Sequence, residues 1–100
     1  MLAAIVDARM NDVAPAIVAR AFHRSLAQAI AEAIRALSKR ASVEVVVLSG
    51  GVIQNALLVD DLHAALASSG LELWLNRNVP PNDGGLSVGQ AALAIGAACV

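Results

Sequence analysis

Residues 45–55 read VVVLSGGVIQN, an apolar β-branched run that halts at Ser49-Gly50-Gly51 and restarts at once as a new pattern. Extended to residues 42–49, SVEVVVLS, the run has the composition of a strand covered on both faces in a parallel sheet. Beyond the glycines, Leu58, Leu62, Ala65, Leu66 and Ser69 recur at helical spacing, with Asp60, Asp61 and His63 towards solvent and Gly70 as the stop. At 71–76, LELWLN alternates Leu71, Leu73 and Leu75 with Glu72, Trp74 and Asn76, the period of a strand nearer a sheet edge. Strand, helix, strand makes a βαβ unit with parallel strands. Parallel strands end on one edge, so SGGVIQN and PPNDGG (residues 80–85) are expected side by side, where open α/β sheets bind ligands.

Working outward, Val18, Phe22, Leu26, Ile30, Ala33 and Leu37 recur every three or four positions and predict a long amphipathic helix from Val13 to Leu37. Asn11 or Asp12 is placed to cap it, and Pro15 falls in its first turn. At 1.5 Å per residue this helix would run about 38 Å, longer than a compact globule of this size is wide, so part of it is expected to lie on something outside the chain. The prolines and glycines of RNVPPNDGG (residues 77–85) break all periodicity. A last helix is predicted over about Leu86 to Ala98, with Gly89, Ala92 and Gly96 on a side that permits close approach. The fold class is therefore α/β, a single domain over residues 1–100, with parallel strands flanked by helices.

Of the 100 residues, 58% are hydrophobic and 15% charged, more apolar surface than one small core can hide. The net charge of −1 offers no basic stripe for a phosphate backbone, and the absence of Tyr with only one Phe and one Trp removes stacking platforms, so nucleic acid is not an expected partner. LSVGQAALAIGAACV (residues 86–100) is too short and interrupted for a membrane span, and MLAAIVDARMND lacks the basic start of a secretory leader, so the expected location is the cytoplasm. Cys99 has no cysteine partner and no metal-ligand spacing beside it, and reads as a small apolar residue at a helix end.

The two glycine pairs have two physical readings. Each loop feeds a helix N-terminus, whose free N–H groups favour anions, and glycine lets a phosphate approach the backbone closely. Asn55 adds a side-chain donor, and Asp83, the one carboxylate in either loop, is suited to a divalent cation beside phosphates. Equally, both pairs fit ordinary strand-to-helix turns, since neither loop matches G-x-G-x-x-G or G-x-x-x-x-G-K-[ST]. Ser49 lacks the G-x-S-x-G setting of a nucleophile and reads as a turn hydroxyl. His23 and His63 have no ligand partner at a convincing spacing, and Trp74 reads as a packing residue.

Residues 46–94, from VVLSGGVIQNALLV to SVGQAALA, resemble the C-terminal end of HypF-type carbamoyltransferases, the hydrogenase maturation factors. The carrying motifs are SGGV-x-QN-x-LL (49–58), VPPNDGGL (79–86) and GQAA (89–92), and IVARAFHRSLAQAIAEA (17–33) looks like the family's preceding helix. Ile53 stands where the family more often has Phe. The resemblance implies half of an actin-like ATPase (ASKHA) domain, in which a carbamoyl group derived from carbamoyl phosphate, carried as carbamoyl-adenylate, passes to the C-terminal cysteine of a HypE partner. It implies nucleotide-phosphate contact for Gly50, Gly51 and Asn55, metal binding for Asp83, and an adjoining loop role for Gly84 and Gly85. The cofactors implied are ATP or carbamoyl-adenylate and a divalent metal, Mg, Zn or Fe. The family's histidine pair has no counterpart here, and the acylphosphatase-like, zinc-finger and YrdC-like domains are not in these 100 residues. The chain is thus expected to be a fragment of such an enzyme, partnered by its missing domains and a HypE-like protein, and not competent alone. The rival expectation is a non-catalytic module that dimerises or docks through its surplus apolar surface.

Overall fold

In the computed structural model, which describes residues 1–98, two parallel strands lie against two helices, with a helix extending at each end. The order is α1 (Leu2–Met10), α2 (Pro15–Ala41), β1 (Val45–Leu48), α3 (Ala56–Leu66), β2 (Glu72–Leu75) and α4 (Leu86–Ala98). Strands β1 and β2 pair in parallel, with Val45 opposite Glu72 and Leu48 opposite Leu75. Cys99 lies outside the described residues.

The core sits where α2 and α3 cover one face of the sheet. Ala27, Leu48, Leu58 and Leu62 form its buried centre, with Leu26, Ile30, Ile34, Val46, Ile53, Leu73 and Leu75 packed around it. Helix α3 buries Leu58, Leu62 and Leu66, one stripe at i, i+4 and i+8. On α2 the inward line runs through Ala27 and Ala31, small residues that let α3 come close, whereas Phe22, Ala33 and Leu37 of the expected stripe are exposed. Two polar contacts lock the helices together. Arg20 forms a two-pronged ion pair with Asp61 at 2.5 and 2.7 Å, and Arg35 donates to the Ala65 carbonyl in the last turn of α3. The guanidinium holds the Asp61 carboxyl below its usual range, and the carboxylate raises Arg20 in return.

Several expectations are corrected. The cap of α2 is neither Asn11 nor Asp12: Ala14 takes that position without a side-chain bond, and Asp12 instead turns the chain at φ +58°. The helix ends at Ala41, four residues later than its apolar spacing indicated, on Ser42 in the left-handed conformation. Helix α1, which the sequence pattern did not reveal, has no buried residue. Asp61 is not on a solvated face but paired. Strand β1 is covered on one face only, since Val47 is 65% exposed and Trp74 beside it 57%.

The helices at the ends make the molecule elongated. The radius of gyration is 17.6 Å, against about 13 Å expected of a compact domain of this length. No residue of α4 is buried, and Leu93 and Ile95 are 76% and 66% exposed. Among the described residues no helix is long and apolar enough to cross a membrane.

Candidate functional site

The parallel pairing brings the two glycine loops together as the sequence predicts. The Gly50 N–H donates to the Pro81 carbonyl at 2.7 Å, stitching the loop after β1 to the loop after β2. Between these loops and α4 lies a groove of about 740 Å³. Gly50, Gly51, Asp83 and Gly85 line it, together with Ser49, Asn76, Val79, the two prolines, Asn82 and the α4 residues Leu86, Gly89, Gln90, Ala92 and Leu93. Asn55 and Gly84 are not among its lining residues.

The glycines are there for different reasons. Gly50 has φ +98° and ψ 161°, a backbone region essentially reserved for glycine, so the turn itself requires it. At Gly85 a Cβ would lie 2.6 Å from the Pro80 carbonyl oxygen and 2.9 Å from a Val79 methyl, so packing within the loop requires it. Gly51 answers to neither demand. It has no positive φ, and a Cβ there would meet nothing nearer than Asn82 at 4.0 Å. It opens a four-residue 3-10 turn, Gly51–Gln54, and among the described residues its N–H and that of Val52 have no hydrogen-bond partner.

Two N–H groups of the second loop, those of Gly84 and Gly85, are already engaged. Asn82 is the turn-maker: its side-chain oxygen accepts from Gly84 N–H at 2.9 Å, and its carbonyl accepts from Gly85 N–H at 3.0 Å. Asn55 likewise has a structural task as the N-cap of α3, accepting from Leu58 N–H through Oδ1 at 3.2 Å. Among the described residues its Nδ2 has no hydrogen-bond partner.

Asp83 is exposed on the groove rim. Among the described residues no group of three or more His, Cys, Asp or Glu comes together as a metal cage, and a lone carboxylate does not hold a cation by itself. His23 and His63 belong to other parts of the molecule: His23 is half-buried on α2 with its ring edge-on to Phe22, and His63 lies exposed on α3. Sequence reasoning missed Asn76 and Gln90 as groove residues. The spacing Leu86, Gly89, Gln90, Leu93 marks the α4 face turned to the groove, and with the GQAA motif it is the signal that could have found Gln90.

A parallel βαβ unit whose two loops meet at the carboxyl ends of the strands places its groove where open α/β sheets bind ligands. Residues 1–90 match the family described as carbamoyltransferase, Kae1-like domain, second subdomain, and the chain belongs to that family. Among curated proteins it is 43% identical over 77 residues to Carbamoyltransferase HypF of Rhodobacter capsulatus, a match covering 77% of this chain and 10% of the relative. It is 40% identical over 74 residues to Carbamoyltransferase HypF of Rhizobium leguminosarum bv. viciae, covering 73% of this chain and 10% of the relative. With Carbamoyltransferase HypF2 of Cupriavidus necator it shares 36% over 74 residues, covering 74% and 9%. The chain spans about a tenth of the length of these relatives.

Proposed function

We propose that the chain serves a HypF-type carbamoyltransferase as half of an actin-like domain, its groove receiving the phosphates of ATP or of carbamoyl-adenylate. The carbamoyl group of carbamoyl-adenylate then passes to the sulfur of the C-terminal cysteine of a HypE-like maturation protein, its bond to the adenylate breaking with AMP as the leaving group and the thiol giving up its proton. The observation that carries the reading is Gly51: a glycine at the groove whose backbone and surroundings both tolerate a side chain, beside two N–H groups without partners. Such a position suits close approach by an anionic ligand. Gly50 and Gly85 support it by shaping the two loops, and Gly84 does so by closing the Asn82 turn. Asn55 contributes its free Nδ2 from the far side of the 3-10 turn. Asp83 supplies one ligand to a divalent Mg, Zn or Fe ion whose remaining ligands come from outside this chain.

The test is a chimaera in which this chain replaces the matching segment of the Rhodobacter capsulatus relative. Carbamoyl transfer to the HypE-like protein is expected to survive the exchange and to fall at least about tenfold with Gly51→Val. A folded chimaera without activity, or one indifferent to Gly51→Val, overturns the proposal.

A second reading rests on the exposed apolar surface: α4 buries nothing, and Val47 and Trp74 stand open on the sheet. The chain then acts as a docking or self-associating module through that surface. Sedimentation giving a monomer at micromolar concentration would remove the self-association form of this reading.

A further inference from the structure

The groove is lined by no lysine or arginine, and its one charged group is the Asp83 carboxylate. Such a lining has nothing to neutralise a second phosphate away from the Gly51 loop. What it does offer is a set of uncharged hydrogen-bonding side chains: Ser49 at the end of β1, Asn76 just beyond β2 and Gln90 on the groove face of α4. None of the three has a side-chain hydrogen bond among the described residues, so their donors and acceptors are available to a ligand. Gln90 is also the one polar side chain that α4 contributes to the groove, among Leu86, Ala92 and Leu93. Gly89 next to it leaves open space, with nothing within 4 Å of a Cβ built there. A mid-helix glycine is less stable than alanine, and among the described residues no contact accounts for it.

We infer that Gln90 and Asn76 determine specificity for the nucleoside part of the ligand. Their amides bond its sugar hydroxyls or base edge, while Leu86 and Leu93 give the base an apolar wall and Gly89 makes room for it. This assignment rests on the nucleotide reading of the groove. It follows from the match of chemistry: neutral amides flanked by apolar side chains fit a neutral, flat, hydrogen-bonding group, and they fit a phosphate poorly.

Nuclear magnetic resonance separates the two ideas, because both side-chain amides give their own signals and weak binding is visible. The ¹⁵N-labelled chain is titrated in parallel with adenosine, tripolyphosphate and ATP, with Gln90→Leu identifying the Gln90 side-chain peak. Adenosine and ATP are expected to shift the Gln90 and Asn76 side-chain amides, and tripolyphosphate and ATP the backbone amides of Gly51 and Val52. Gln90→Leu is expected to weaken ATP about fivefold to tenfold, the worth of one neutral hydrogen bond, and to leave tripolyphosphate binding and melting temperature unchanged. If ATP moves Gly51 and Val52 but neither side-chain amide, and Gln90→Leu binds ATP as tightly as the wild type, the nucleoside assignment is wrong while the phosphate reading stands. If neither tripolyphosphate nor ATP moves Gly51, the phosphate reading falls, and the nucleoside assignment falls with it.

Discussion

Alanine at Gly50 and alanine at Gly51 are expected to have opposite effects on stability, although the two positions are adjacent. At Gly50 the backbone has φ +98° and ψ 161° and no atom lies within 4 Å of a built Cβ, so the cost of a side chain there is conformational, not steric. Holding a non-glycine residue in that region costs about 1–3 kcal/mol. At Gly51 the φ is ordinary and the nearest neighbour of a Cβ stands at 4.0 Å, ordinary van der Waals contact. Alanine there restricts the unfolded chain at no native cost and is worth about 0.4–1 kcal/mol of added stability. The variants should therefore differ by about 1.4–4 kcal/mol, which is about 6–30 °C in melting temperature for a domain of this size. Thermal unfolding followed by circular dichroism measures the difference directly. Melting temperatures within about 2 °C of each other, or a Gly51→Ala variant less stable than Gly50→Ala, would refute the division of labour between the two glycines.

Four further outcomes follow from the same structure. Leu62→Ala empties a fully buried position between α2, α3 and the sheet, and should cost about 2–5 kcal/mol by urea unfolding. Asn55→Ala should lose about 0.5–2 kcal/mol with the α3 cap, whereas Asn55→Asp keeps an acceptor for Leu58 N–H and should hold stability while weakening ATP in calorimetry. Gly85→Ala drives a methyl onto the Pro80 carbonyl, and should cost about 1–3 kcal/mol and loosen the loop around Asp83. Finally, Asp61 titrates below its ordinary 3.8 because Arg20 bonds its charged form, so its contribution is present above about pH 4 and is lost as pH falls through the lowered folded value. The melting-temperature gap between wild type and Asp61→Asn should be constant near neutrality and shrink on acidification below about pH 4; a gap that widens there contradicts the ion pair.

Much of the framework could be read from local pattern, because periodicity reports which side of an element is covered. The run at residues 42–49 and the alternation at 71–76 identified both strands, which are shorter in the structure at Val45–Leu48 and Glu72–Leu75, and the parallel pairing they implied places the glycine loops together. What escaped depended on partners distant in sequence. Asp61 looked solvent-facing because its partner, Arg20, is 41 residues away. Helix α1 escaped notice because it buries no residue, so its pattern carries no core stripe. Asn11 and Asp12 had the chemistry of a cap, yet Asp12 is spent on a left-handed turn and Pro15 begins the helix behind Ala14. At the groove the glycines were visible as a motif, but their separate reasons were not. Only the contacts of Gly85, the φ of Gly50 and the open space at Gly51 tell them apart.

The measurement that bears most directly on the account is a crystal structure of the chain grown with ATP. Phosphate oxygens are expected at hydrogen-bond distance, about 2.7–3.2 Å, from the backbone nitrogens of Gly51 and Val52, with the nucleoside running along α4. A nucleotide bound elsewhere, or a phosphate chain held away from Gly51 by solvent, would contradict it.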